Sequence, residues 1–344
     1  MGIRDLARVL DLSIGTVSRA LNNRPDVNPK TRARVKEAAI RTGYVPDQSG
    51  RALRQGRTGL IAAVIQTGGF GQSTDCGLFK ILEGTRRRLV LDDLDLVVIF
   101  RGPDEDPMEK LRSIVSRRIA DAVIITQTVA DDPRLAFLRD AGVEHVALGR
   151  SERSGQHAWV DFDFESVVVK SMQAFVRDGH RSMALVVTSL GMNFEEIMIK
   201  AFRAEAAWHG IAPGAVRVLR AEKGHINQKD RAALSDPRTR PTAILAGHEG
   251  IAASLYAQLP KMNLAIGTDV SLISASPAVD HGSLSPLLSH FKTDLDAAGV
   301  LIGEQLAVRL QGGASKRQEI RSTLIPMEFV AGESHKRMPS PLKV

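Results

Sequence analysis

Residues 3–22, Ile3 to Asn22, read IRDLARVLDLSIGTVSRALN. Ile3, Leu6, Ala7 and Leu10 recur at helical spacing, and so do Ile14, Val17 and Leu21. Asp11-Leu12-Ser13 breaks the two runs, and Ser13 stands where an N-cap belongs. The pattern predicts two short helices joined by a tight turn, a unit whose second helix can enter a major groove. Ser13, Thr16, Ser18, Arg19 and Asn22, on the polar side of that helix, are residue types that bond phosphates and base edges. The competing reading is a surface helical hairpin with no nucleic-acid role.

The location of charge favours DNA. The chain has 344 residues and a net charge of +7. Residues 1–57 hold 12 Lys+Arg and 5 Asp+Glu, a balance of +7. The remaining chain holds 34 of the 46 basic and 34 of the 39 acidic residues, a balance of zero. One exposed Arg is ordinary, but confinement of the whole excess to one small module argues for a polyanionic partner.

Other classes find little support. The single cysteine, Cys76, allows no internal disulfide framework and no CxxC metal site. No apolar run approaches the ~20 residues that span a bilayer. Met1-Gly2 leads directly into the first helix, so no signal peptide is visible, and a soluble, cytoplasmic chain is expected. The nine histidines show neither HExxH nor paired metal spacing, and GxSxG and P-loop patterns are absent. Gly68, Gly69 and Gly71 do not make GxGxxG. Asp131-Asp132 and Glu195-Glu196 fall on turns or helix starts, where carboxylates are usually solvated or capping. No catalytic residue, metal or cofactor is expected, and no enzyme.

A third helix is predicted from Asn28 as N-cap and Pro29 at the first helical position to about Thr42, with Gly43 closing it and Val35 and Ala39 facing the core. Lys30 and Arg32 at its start are placed for phosphate or for solvent. From Leu60 the pattern changes. Apolar runs at 60–66, 94–100, 121–126, 145–149, 182–188, 214–220, 243–247 and 270–275 alternate with helix-length segments such as 77–92, 107–119, 165–179, 194–210 and 249–260. Near-continuous Val/Ile/Leu runs suit strands buried on both faces, and the alternation predicts parallel, doubly wound sheets. Eight strands are too many for one compact unit here, so two α/β subdomains are expected.

The run Thr16 to Asn22 (TVSRALN), then Val27, Lys30-Thr31-Arg32 and Gly43-Tyr44-Val45-Pro46, resembles the LacI/GalR family of bacterial regulators. The resemblance is specific at the N-terminus and looser over nearly the whole chain. It implies an N-terminal all-α helix-turn-helix domain (1–45), a hinge and linker (46–58), and an α/β periplasmic-binding-protein-like core of two doubly wound subdomains (59–332). It places lobe one at about 59–160 and 288–318, and lobe two at about 161–287 and 319–332. A polar tail, 333–344, follows, without the lactose repressor's tetramerising helix.

By the same resemblance, Ile14, Gly15 and Arg19 fall at the main base-contacting positions. Arg19 can fork onto guanine, whereas Ile14 offers only apolar contact. Gly15 departs from the usual polar residue, and Asp11 from the usual turn glycine. Thr16, Ser18, Asn22, Lys30 and Thr31 position the module on phosphate. Arg51 lies in the hinge, and Leu53 matches a leucine that wedges into the minor groove. Its alternative is a linker residue packed on the next domain. Gly50 replaces the usual Ala and should weaken the hinge helix.

In the body, Asp161-Phe162-Asp163-Phe164 resembles the first crossing between lobes, and His180, in Gly179-His180-Arg181, reads as structural. The candidate effector residues are Asp75, Arg150, Met198, His248, Glu249 and Ser276. His248-Glu249 stands where sugar-binding members show Asn-Asp, Ser276 where they show Asp, and Met198 where an Arg is common. The alternative for each is a place on the surface or behind the site. Thr67 to Ser73 and Gly149-Arg150-Ser151 look more like the α-glucoside regulators. The resemblance implies an allosteric repressor of a carbohydrate operon, acting as a homodimer on double-stranded operator DNA and answering a small polar effector, a sugar or derivative. A sugar-transport receptor and an α/β enzyme are the other readings of such a core.

Overall fold

The computed structural model describes residues 2–21, 24–44, 57–67, 76–222, 225–277, 284–311 and 321–336. The chain divides into two compact units, Met1–Thr58 and Gly59–Val344.

In the first unit, α1 (Ile3–Leu10), α2 (Ile14–Leu21) and α3 (Pro29–Thr42) enclose a small core. Leu6, Val17, Ala20 and Val35 are fully buried at its centre. Local chemistry sets the ends. Asp11 closes α1 in the left-handed region, φ +52°, and its N–H donates to the carbonyls of Ala7 and Arg8. Ser13 Oγ accepts from Thr16 N at 3.0 Å and so opens α2. Asn28 Oδ1 accepts from Lys30 N at 2.9 Å, Pro29 fits the first turn, and Gly43 closes α3 at φ +63°. Arg34 Nη2 donates to Leu10 O at 2.6 Å and ties α3 to α1.

In the second unit, one sheet runs β12-β5-β4-β3-β1-β2, formed by β1 (Leu60–Gln66), β2 (Asp95–Arg101), β3 (Ala122–Ile125), β4 (Glu144–Leu148), β5 (Ala158–Phe162) and β12 (Ser322–Ile325), all parallel. The other runs β13-β11-β10-β9-β6-β7-β8. Its strands are β6 (Met183–Thr188), β7 (Val216–Glu222), β8 (His225–Ile226), β9 (Ala243–Ala246), β10 (Ser271–Pro277), β11 (Ser289–Lys292) and β13 (Glu328–Val330). In this sheet β8 and β13, at the edges, pair antiparallel, and the inner strands pair parallel. Helices α4 (Cys76–Val90), α5 (Pro107–Ser116), α6 (Pro133–Asp140) and α11 (Leu295–Gln311) accompany the first sheet. α7 (Phe164–Arg177), α8 (Asn193–Trp208), α9 (Gln228–Ser235) and α10 (Glu249–Gln258) accompany the second.

The lobe limits expected from sequence shift. Ser289–Lys292 pairs with β10, so it belongs to lobe two, and Ser322–Ile325 pairs with β5, so it belongs to lobe one. Asp161 and Phe162 end β5 in lobe one, and the first crossing follows them. Strands of four residues hold too little periodicity to name their sheet; only the backbone partner does. The crossings are bonded together: Asp163 N donates to Ile325 O at 2.9 Å, and Thr293 Oγ1 to Pro326 O at 3.0 Å.

α11, at 17 residues the longest helix among the described residues, stands outside the apolar rhythm read from sequence. Its apolar residues run almost all round it, so no stripe marks it. It packs tightly on α4: a Cβ at Gly299 would lie 1.9 Å from Ile81 O, and one at Gly84 would lie 2.2 Å from Asp296 O. Thr85 Oγ1 donates to Gly299 O at 3.0 Å across this contact.

The expected polar tail begins inside the fold. Ser334 is fully buried, its hydroxyl donating to Leu272 O at 2.6 Å and accepting from Ser289 N at 2.8 Å. Residues 337–344 lie outside the described residues. His180 is structural: its ring meets Thr242 Oγ1 and Ser271 Oγ, each at 2.9 Å, and burial holds its pKa below the usual imidazole value.

Candidate nucleic-acid interface and interlobe cleft

α2 buries Val17 and Ala20 and exposes Ile14, Gly15 and Arg19 on its other side, with Ser13 exposed just ahead of it; Thr16 and Ser18 are half-buried. Ile14, 43 % exposed, faces outward despite its place in the apolar rhythm. Arg19 Nε stands 3.4 Å from Asp26 Oδ2, and both side chains are more than half exposed, so water screens the pair and it is worth little. The guanidinium lies back along the helix: a Cβ on Gly15 would meet Arg19 Nη1 at 3.7 Å. Thr16 Oγ1 shares a 2.8 Å hydrogen bond with Ser13 Oγ. Lys30 is exposed and Thr31 half-buried at the start of α3. Arg32 is engaged internally, its Nη2 donating to Arg24 O at 2.7 Å and Val27 O at 3.1 Å. Asn22, Arg51, Leu53 and Asp75 lie outside the described residues.

The body's cleft is lined from both lobes by strand C-terminal ends and helix starts. Lobe one supplies Thr126 to Thr128, Gly149, Asp161 and Phe162; lobe two supplies Phe164, Phe194, and His248 and Glu249 with Ser276. The backbone is shaped for it. Gln127 is left-handed, φ +53°. Gly149 has φ +102°, and a Cβ there would stand 2.5 Å from Thr128 Oγ1.

Asp161 is the polar centre. It is 3 % exposed, and its Oδ1 accepts from Phe162 N at 2.9 Å. Burial pushes its pKa up to about 6, against the opposing pull of the Arg150 guanidinium. Arg150 Nε approaches Asp161 Oδ2 at 3.2 Å, as an ion pair without hydrogen-bond alignment. Its Nη2 bonds Glu165 on the first turn of α7, and its guanidinium sits 5.9 Å from the Trp159 ring centroid. Arg150 therefore stands behind the lining. Beside Asp161 is an aromatic wall: Phe164 and Phe194 stack at 4.8 Å, and Phe162 meets Phe164 edge-on at 6.2 Å.

His248, Glu249 and Ser276 line the cleft. His248 caps α10, its Nδ1 accepting from Gly250 N at 3.1 Å, so the neutral ring carries its proton on Nε2. Met198 does not line it: it is fully buried in lobe two, behind Gly247. An apolar side chain on the inner face of α8 turns into the core, whatever stands at that position in relatives. Asp161, Phe162, Phe164 and Phe194 are lining residues that the sequence reading does not include among the effector candidates. The Asp-Phe-Asp-Phe run is the available signal, and the crossing it marks ends in the site. One side of the cleft is joined across the lobes, Asn193 Nδ2 donating to Arg150 O at 2.6 Å and Asn193 N to Thr128 O at 2.8 Å.

Among the described residues no His/Cys/Asp/Glu group could hold a metal, and no helix is long and apolar enough to cross a membrane. Residues 2–47 match the family model for bacterial regulatory proteins of the lacI family, and residues 172–335 the periplasmic binding protein-like domain. The HTH-type transcriptional regulator AglR of Rhizobium meliloti is 30% identical over 363 residues, 99% of this chain and 97% of that protein. Among solved structures, the lac repressor dimer bound to operator and the anti-inducer ONPF superposes with a TM-score of 0.80 at 19% identity, covering 98% of this chain and 99% of that one. The transcriptional regulator CelR–cellobiose complex gives a TM-score of 0.65 at 20% identity, covering 97% and 99%. These relatives are transcription regulators, not enzymes. With a helix-turn-helix head, a two-lobed body and a full-length relative of this similarity, the chain belongs to the LacI family of ligand-responsive transcription regulators.

Proposed function

We propose that this chain represses a carbohydrate-uptake or catabolism operon, binding a pseudo-palindromic operator as a homodimer and taking a sugar or sugar derivative in the interlobe cleft. The observation that carries the DNA reading is α2, whose exposed face presents Ile14, Gly15 and Arg19 while Val17 and Ala20 hold the opposite face in the core. One such helix reads a half-site, and a palindrome requires two copies. Arg19 forks onto a guanine; Ser13, Thr16, Ser18, Asn22, Lys30 and Thr31 seat the head on phosphate; Arg51 and Leu53 belong to a hinge that orders on DNA. A sugar fits a cleft with a buried carboxylate beside an aromatic wall, and the structural relative CelR is solved in complex with cellobiose. Effector binding biases the lobes between two arrangements, and the hinge passes that bias to the DNA.

A mobility-shift assay on the region upstream of the chain's own gene tests this. The protein is expected to prefer that fragment to random duplex, and Arg19→Ala to lose the preference while keeping the effector's thermal shift. Unchanged specific affinity in Arg19→Ala rejects α2 as the reading element. On permuted fragments, Leu53→Ala is expected to lose operator bending, and retained bending rejects the wedge.

A further inference from the structure

We infer that the cleft selects an uncharged glycoside and excludes sugar phosphates and sugar acids, with Asp161 and Glu249 setting that choice. The inference rests on the sugar reading above and narrows it.

An anionic ligand needs charge-assisted donors, Arg or Lys, or an open helix N-terminus. The described lining has two carboxylates, Asp161 and Glu249, and no Lys or Arg. Of the cations behind the lining, Arg150 is held between Asp161 and Glu165, and Arg134 is engaged by Asp132 and by the carbonyls of Thr126 and Gln127. A phosphate reaching for Arg150 would meet the Asp161 carboxylate first.

Four of the helix starts around the cleft are answered by the chain's own acids or caps, whereas α4, whose Gly77 and Leu78 line it, has no acid in its first turn. Asp163 caps α7, accepting from Ser166 N at 3.0 Å, and Glu165 lies in its first turn. Glu195 and Glu196 occupy the first turn of α8, where buried Glu195 accepts from Thr188 N at 2.6 Å. On α10, His248 caps Gly250 N and Glu249 follows it. On α11, Asp294 Oδ1 accepts from Ala297 N at 2.9 Å and Asp296 lies in the first turn. Each of these dipole ends, which could otherwise favour a phosphate, is already answered by a carboxylate or a cap. A neutral sugar suits what remains: its hydroxyls donate to Asp161, and its apolar face lies on Phe164 and Phe194.

The test uses the purified full chain, with thermal shift and calorimetry against matched sets: glucose, methyl α-glucoside, maltose and cellobiose, then glucose 6-phosphate and glucuronate. At least one neutral member is expected to bind, with its phosphorylated or acidic partner at least tenfold weaker. A phosphate or uronate binding as tightly as its neutral counterpart overturns this inference and leaves the sugar reading standing. No response to any carbohydrate removes the sugar reading and this inference with it. Asp161→Asn is expected to weaken neutral binding and to narrow the neutral-to-phosphate ratio about tenfold; an unchanged ratio in a folded variant rejects its role. Should Asp161→Asn not fold, Glu249→Gln reads the same ratio, with the same outcomes.

Discussion

The head and the cleft present their chemistry in opposite ways. Residues 1–57 carry the whole net charge of +7, and the exposed candidate DNA contacts sit mainly on one eight-residue helix. The body is neutral, and its cleft gathers residues as distant in sequence as Leu78 and Leu295. A contiguous helix face can be altered with little effect on folding. A site made of strand ends shares its residues with the core, so specificity and stability are coupled there.

The largest expected effect breaks the head alone. Arg19→Ala should cost about 1–3 kcal/mol at each half-site, so a dimer loses roughly 30-fold to 10⁴-fold in specific affinity. The body's melting temperature should not move; if it does, the two units are not independent.

Gly299→Ala breaks the body alone. Its Cβ would stand 1.9 Å from Ile81 O and 2.8 Å from Thr85 N, both backbone atoms. Overpacking of this kind costs about 3 kcal/mol, read as a lower denaturant midpoint. A midpoint equal to wild type would show that α4 and α11 can separate freely.

Asp161 sharpens the coupling within the cleft. Its folded pKa, about 6, lies above its ordinary value of 3.8, so the native state binds the proton more readily. Its stabilising contribution is present below about pH 4 and is lost as pH rises through about 6, at most about 3 kcal/mol. His157 acts oppositely: burial, then His145, lowers its pKa to about 4, so its contribution is lost as pH falls from 6.5. Asp161→Asn removes the compensating gain, and its stability should fall more steeply than wild type between about pH 6 and 4. Equal slopes in urea titrations would place the proton uptake elsewhere.

The smallest effect concerns Gly15. An added Cβ meets nothing closer than Arg19 Nη1 at 3.7 Å and Ser13 Oγ at 3.8 Å. Gly15→Ala should therefore stabilise α2 by about 0.5–1 kcal/mol, seen as slower amide exchange. Faster exchange would mean that the bare backbone at Gly15 is needed for the resting place of Arg19.

Ser13, Asn28, Pro29 and Gly43 act within a few residues of themselves, so the ends of α2 and α3 are readable from sequence. The strand β1 is readable because both its faces are buried. The short strands β11 and β12 cannot be assigned to a sheet in advance, and α11 goes unmarked, because a helix with apolar residues on nearly every side has no polar face to set its period. In the cleft, His248, Glu249 and Ser276 follow strands that are legible, and they line it. Met198 is misplaced by sequence alone because helical rotation, not position along the chain, decides which side chains leave the core.

The order of amino acids is enough to specify the helix-turn-helix, the segregation of positive charge, and the alternation of strands and helices. These depend on local periodicity, capping and residue type. Three-dimensional packing is needed to settle which sheet takes Ser289–Lys292 and Ser322–Ile325, that Ser334 is buried, and that Asp161 faces the cleft with Arg150 behind it. Those outcomes depend on backbone pairing and desolvation between segments far apart in the chain, which no local pattern encodes.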